Sequence, residues 1–499
     1  MSWFDYYFAD AAADERIGLA GALVDLSNAM IDPPVSAGGD EPAQDNGIAP
    51  LYSYVGQLLS HDLVAPRSDV DQEDTQNRPL ALTDPDLVPL ERATVLTVLR
   101  NARSGRMNLE SIYGDALSDE RALALRDPTD TARMRVSPGW QTDRDLGDAR
   151  NDATILLSNL VAVLLMFHNA VADELYDDIG DPEERFQRAR QRVTWTWQWL
   201  IVNDFLPATC NPATLSWVNA SRAPLYRTLL EQHETDETCL PVPIEFAFAV
   251  TGLPHTMLRA AYDLNFQFGR PTVDCARDGM PLEHLLGLAK EKLENPGEIE
   301  WDRLVSQPGA FADRSARGFD TGMAHPLGWL PTSTGDLPSN LAARLLNAGY
   351  RLNMPTAQGV LKALAQHDDQ FDTAPAVQAL TKPEIESGQT GHAVRHNGFT
   401  DRTPLWFYML KEAEIQTGGE HLGGLGSRLA SETVLGVIMN DKSSYWHAPS
   451  DQSGPWTPER IPVAGVPIIS FAALFQAAGV ISADVPTGGS ITSGIFTGV

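Results

Sequence analysis

The stretch LGDARNDATILLSNLVAVLLMFHNAVADEL, residues 146–175, decides the fold class. An acidic, capping-rich turn at 148–152 opens a strongly apolar run over 155–167, interrupted only by Ser158 and Asn159. At 13 residues that run is too short to span a bilayer, and it predicts a buried core helix. Such a helix needs others packed around it, and the sequence supplies them on both sides. Apolar residues recur at helical spacing over 51–63, 90–101, 152–176, 183–202 and 224–232. They do so again over 341–347, 357–365, 405–414, 425–439 and 469–478, and more weakly over 16–30. Asp181-Pro182-Glu183 reads as a helix start, with proline at the first helical position. Strand signals are scarce. The expected architecture is all-α: one large helical domain over 51–499 with long irregular loops. Residues 1–50 are expected to form an N-terminal arm and linker, Pro/Gly/Asp-rich over 32–47. The irregular stretch 305–339 is expected either to be functional or to wrap the helical core.

Composition narrows the function classes. The 499 residues hold 66 acidic and 37 basic side chains, a formal net charge of −29. Nucleic acid and anionic membrane surfaces both need a basic field, so neither is an expected partner. Cys210, Cys239 and Cys275 are too few for a disulfide framework, and their spacing matches no zinc motif. The acidic start MSWFDYYFADAAADERIG lacks the basic-then-apolar order of a secretory signal. The expected location is cytoplasmic, or secreted by a route without such a signal.

Three segments carry residues suited to chemistry. In LYSYVGQLLSHDL (51–63), Gln57 and His61 are four residues apart and share a helix face. In a buried cleft that pair can hold a small polar molecule and move its protons; the alternative is a satisfied core histidine. Arg150, at the mouth of the apolar helix, either makes a structural ion pair or aims a fixed positive charge into a pocket. His168 and Asn169, more than four turns further on, read as structural. His255, beside Pro254 in VPIEFAFAVTGLPHTMLRAAYDLN (242–265), is either a packed histidine or an axial metal ligand.

Read in order, these segments resemble the animal-type haem peroxidase superfamily, that of myeloperoxidase and the cyclooxygenases, and look closest to its bacterial members. The resemblance rests on GQLLSHD (56–62), RSGRMNLESIYG (103–114), DARNDA (148–153) followed by His168-Asn169, WQWLIVNDFLP (197–207) and EFAFAVTGLPHTMLR (245–259). LNMPTAQGV (352–360) and TPLWFYMLKEAE (403–414) extend it, so that it runs from about 51 to about 480. It implies a haem whose iron is bound by His255, with His61, Arg150 and Gln57 on the opposite, distal side. Hydrogen peroxide is then the implied oxidant, and a halide or small organic molecule the implied donor. The resemblance also implies a calcium site from Asp62, Ser104, Arg106 through its carbonyl, Asn108 and Glu110. Read without it, those residues are an acidic helix end with a polar turn.

The departures from the family matter as much. Gly252 stands three residues before His255, where peroxidases carry an arginine for a haem propionate and cyclooxygenases the tyrosine that becomes a radical. The asparagine that should bond the proximal imidazole falls near Leu345, leaving Asn347 as a substitute. With Gly252, Pro254 and Leu345 in view, the alternative expectation is a haem-binding protein with weak or lost catalysis. The two acids that form ester links to haem in mammalian members are replaced by Ser60 and Ala153, neither of which carries a carboxylate. The haem is therefore expected to be ordinary, non-covalent haem b. Acidified organic solvent should extract it completely from the purified protein; haem that stays on the denatured polypeptide would contradict this.

Overall fold

The computed structural model describes residues 2–34, 45–70, 78–114, 119–136, 147–232, 238–265, 268, 279–286, 299–305, 315–331, 337–371, 373–449 and 455–481. Cys275 and parts of the 32–47 and 305–339 stretches lie outside them. The architecture is mainly helical, as expected. The helices used below are α1 (Ala20–Met30), α2 (Leu51–Leu63), α3 (Ile155–Glu174), α4 (Pro182–Leu200), α5 (Pro224–Glu231), α6 (Leu341–Arg351), α7 (Leu405–Thr417), α8 (Gly424–Asn440) and α9 (Phe471–Ala477).

Helix α3 starts where Thr154 caps it, its hydroxyl accepting from the Leu157 amide at 3.0 Å. The preceding turn, Ala149–Asp152, is a 3-10 segment rather than the first turn of the helix. At 20 residues α3 is long and apolar enough to cross a membrane, so the expectation that it is too short does not hold. Its most apolar window is nevertheless 89% buried inside the protein, as for the core helix of a soluble fold. Helix α4 begins as expected, with the Asp181 carboxylate accepting from the Glu184 amide at 2.8 Å and Pro182 in the first turn. Its end passes into a π-helical turn, Ile201–Phe205. There Asp204 accepts from the Tyr52 hydroxyl at 2.5 Å and the Phe471 amide at 2.8 Å, tying α2 and the start of α9 to one buried carboxylate.

Two expectations need correction. Residues 90–101 do not form one helix: Arg92–Val98 is helical, and Leu99–Asn101 turns into a strand. Strand pairing there overrides local propensity. The strands are β1 (Ser2–Asp5), β2 (Pro66–Ser68), β3 (Leu99–Asn101) and β4 (Val242–Pro243), in the order β2-β3-β1-β4. Nor do residues 2–34 hang away as an arm. Strand β1 is interior to this sheet, antiparallel to β3 and parallel to β4. Helix α1 buries Leu23, Leu26 and Met30 in the core and packs on α6.

Buried carboxylates replace missing caps on several elements. The residues that precede α5 and α8, Ala223 and Gly423, have no side chain able to cap. Glu432 accepts instead from the Leu225 and Tyr226 amides at 3.0 and 3.2 Å, and Glu412 from those of Leu425 and Gly426 at 3.0 and 3.2 Å. Glu245 does the same for Tyr7 and Phe8 at 3.0 and 3.2 Å, pinning the N-terminal segment to the middle of the chain. Each amide thus keeps a partner away from water, where losing it would cost about 1–3 kcal/mol. The described parts of 305–339 wrap the core as expected. Ala316 donates to the Ile48 carbonyl at 2.7 Å and Arg317 to that of Met257 at 3.2 Å.

Candidate active site

The site is built where α2 meets the segment Val250–Met257. That segment is 3-10 helical, with Pro254 inside it and so without a backbone donor at that position. The two elements touch directly. A Cβ added to Gly56 would lie 2.6 Å from Pro254 Cγ and 3.3 Å from Phe205, so only glycine permits this approach. The Ser53 hydroxyl also donates to the Met257 carbonyl at 3.3 Å. Contact at this point sets how far apart His61, further along α2, and His255, just after Pro254, are held.

His61 Nδ1 lies 2.9 Å from the Asn151 side-chain oxygen, and the Asn151 amide nitrogen donates to the Ser111 carbonyl at 2.9 Å. The Ser111 bond fixes which end of the amide is the oxygen, so His61 Nδ1 carries the proton and Nε2 keeps its lone pair. Nε2 has no partner among the described residues. Burial, and then the charge of Arg150, lower the His61 pKa to about 4, only partly offset by Asn151 and Asp148. The ring is therefore a neutral base at pH 7. His255 also disfavours charge on His61, which places the two imidazoles within electrostatic reach of each other.

Arg150 and Arg103 converge on the end of α2, where the last carbonyls have no helical partner. Arg103 Nε donates to the His61 carbonyl at 2.9 Å, and Arg150 Nη2 at 3.2 Å. Asp148 orients both. It bonds Arg150 through Nη2 at 2.7 Å and forms an ion pair with Arg103. Burial pushes the Asp148 pKa up, but the bonds and charge of Arg150, helped by Arg103, outweigh it and hold it at about 2. Arg150 Nη1 stays without a partner among the described residues. Gln57, one turn before His61, is buried, and its Nε2 bonds nothing among the described residues. The sequence reading found Gln57, His61 and Arg150; it missed Asn151, Asp148 and Arg103 as the residues that orient them. The signal for Asn151 and Asp148 was their place on either side of Arg150.

On the other side, His255 Nδ1 is 3.2 Å from the Gly252 carbonyl, again leaving Nε2 without a partner among the described residues. Burial lowers its pKa to about 4; the Gly252 bond works against that shift and the charge of Arg344 with it. Asn347 is not the substitute acceptor that the sequence suggested. Its side-chain nitrogen donates to the Leu82 carbonyl at 2.9 Å, because helical spacing turns it away from Leu345. A backbone carbonyl takes that role instead. Space at Gly252 is tight, since a Cβ there would sit 3.0 Å from the Leu345 side chain and from the Trp406 indole nitrogen, which would have to give way. His168 and Asn169 are structural, as expected. His168 bridges the Tyr113 hydroxyl and the Ala132 carbonyl, each at 3.0 Å, and Asn169 brackets the backbone of Met134.

The acid-lined turn beyond α2 is also assembled. Asp62 Oδ2 accepts from the Leu109 amide at 3.0 Å, while Oδ1 is buried with no partner among the described residues. Glu110 accepts from the Ser104 amide at 3.1 Å, and the Asn108 side-chain oxygen is likewise buried and unpaired. The Ser104 hydroxyl lies in the same turn, accepting from the Arg106 amide at 3.3 Å. Burial, then the Glu110 charge, raises the Asp62 pKa to about 7. Among the described residues, no group of three or more His, Cys, Asp or Glu is gathered for a metal.

The animal haem peroxidase family model matches residues 91–282, a span that includes Arg150 and His255. No curated protein matches by sequence. Among solved structures, peroxidase A from Dictyostelium discoideum is similar with a TM-score of 0.61 at 13% identity, covering 97% of this chain and 93% of its own. A fatty acid alpha-dioxygenase from Arabidopsis thaliana has a TM-score of 0.60 at 12% identity, covering 95% and 75%. One from Oryza sativa has 0.57 at 13%, covering 87% and 74%. His61 lies outside the matched span, and Arg150 meets it through the His61 carbonyl. Residues 91–282 thus match the animal haem peroxidase family, and the mainly helical fold is shared with peroxidase A over nearly the whole chain.

Proposed function

We propose that the protein is a haem peroxidase that reduces hydrogen peroxide and oxidises a halide or small organic donor. The observation that carries this reading is the pair of half-buried imidazoles, each with Nδ1 engaged and Nε2 without a partner among the described residues, one of them met by an arginine held in place by a carboxylate. Such a donor set fits a haem between them. His255 Nε2 is the atom assigned to the iron, with the Gly252 carbonyl accepting a hydrogen bond from Nδ1–H and raising the basicity of the ring. Bound haem would supply the redox centre at which peroxide is reduced.

The chain's own residues do the rest. His61 Nε2 accepts a proton from one peroxide oxygen and delivers it to the oxygen that leaves. Asn151 keeps the other ring nitrogen protonated, so that the lone pair stays on the reacting side. Arg150, oriented by Asp148, offers Nη1 to negative charge that develops as the O–O bond breaks. Gln57, with its buried and unpaired nitrogen, orients water, peroxide or a halide. The haem is held without ester links, because neither Ser60 nor Ala153 supplies a carboxylate. Catalysis rather than its loss is the preferred reading because the distal set is complete and the proximal acceptor is replaced, not missing.

The unpaired Asp62 and Asn108 oxygens support a calcium ion held with Ser104, Glu110 and the Arg106 carbonyl. Asp62→Ala should abolish calcium binding in calorimetric titration of chelator-treated protein; a full equivalent bound by the variant would remove that site. The peroxide reading is tested by rapid mixing. His61→Ala and Arg150→Ala should each slow the peroxide-induced change in the Soret band by at least about 100-fold. A wild-type rate in either variant would end that residue's assignment.

A further inference from the structure

Arg344, half-buried on α6, is a cation beside the proximal segment of the site. Two arginines of the segments near Met257 are neutralised: Arg317 pairs with Asp32 at 2.5 Å and Arg259 with Asp45 at 2.5 Å. Arg344 makes no ion pair among the described residues. Its Nε and Nη2 donate only to the backbone carbonyls of Pro338, at 2.5 Å, and Pro331, at 3.3 Å. Nη1 has no partner among the described residues. Burial, with no acid among the described residues to offset it, lowers its pKa. A half-buried guanidinium without a counter-charge is costly unless something else supplies the anion.

Its position says where that anion belongs. Arg344 precedes Leu345 on α6, and Leu345 closes on Gly252, whose carbonyl holds His255. Arg344 is also a cation whose charge His255 feels. The two backbone bonds fix the guanidinium plane and leave one edge free, the arrangement that suits a carboxylate. We infer that Arg344 anchors a propionate carboxylate of the haem, serving as the positioning cation on the proximal side in a chain that has glycine at 252. This rests on the haem reading above.

The test measures affinity rather than turnover. Haem and haem dimethyl ester, whose carboxylates are masked, are titrated into the full-length apoprotein and followed by the Soret band. Wild type should bind haem at least about tenfold more tightly than the ester, the scale of losing a hydrogen bond to a charged group. Arg344→Met should bind the two alike, and Arg344→Lys should keep part of the preference. An Arg344→Met variant with the full wild-type preference would overturn the assignment. So would equal weakening of haem and ester, which would reduce Arg344 to tying Pro331 and Pro338. Benzoate binding to wild type but not to Arg344→Met, with no preference for haem over its ester, would overturn it in favour of a site for free carboxylates. Absence of any Soret band with wild type would instead sink the haem reading itself, and Arg344's role with it.

Discussion

Direct contact between Gly56 on α2 and Pro254 beside His255 is the constraint on which the site depends. Helix α2 is regular over its length and carries Gln57, His61 and Asp62 at helical offsets from that contact. The opposite partner is a 3-10 segment whose proline is part of the contact surface. Any residue larger than glycine at 56 would push the two elements apart and change the distance between the imidazoles. Tyr52 on Asp204 and Ser53 on the Met257 carbonyl secure the same helix on its other contacts, so α2 has little freedom to shift.

Around that contact, charge is arranged so that few groups are left to water. Asp148 neutralises Arg103 and Arg150 while both guanidiniums close the open carbonyl end of α2. Elsewhere Glu245, Glu412 and Glu432 serve as caps from a distance, each buried and each raised to about 7 by that burial. A carboxylate in such a place is tolerated because it accepts two or more amide bonds. The same logic makes the unpaired atoms informative. Gln57 Nε2, Asp62 Oδ1 and the Asn108 oxygen sit in the regions assigned to peroxide and calcium, and their missing partners are what those ligands would provide.

Much of the helical framework was legible because apolar spacing survives in a buried helix, and α2 matches its expected limits at both ends. The strand at Leu99–Asn101 was not, because its conformation comes from pairing with residues 2–3 and 66–68 rather than from its own sequence. The fate of residues 2–34 was hidden for the same reason: a four-residue strand and a Glu245 contact across more than two hundred positions leave no local pattern. At the site, residue types that move protons or carry charge could be picked out by motif. Their orienting partners could not, since Asn151 meets His61 and Arg103 meets Asp148 only after folding. The Gly252 carbonyl was invisible in principle, because a backbone acceptor leaves no side-chain signature.

The central claim is that His255 holds a haem iron opposite His61. It is tested most directly by the haem content and electronic spectrum of wild type beside His255→Ala. The account predicts equimolar haem and a b-type Soret band in wild type, with the band lost or displaced in the variant. An unchanged spectrum in His255→Ala would contradict it.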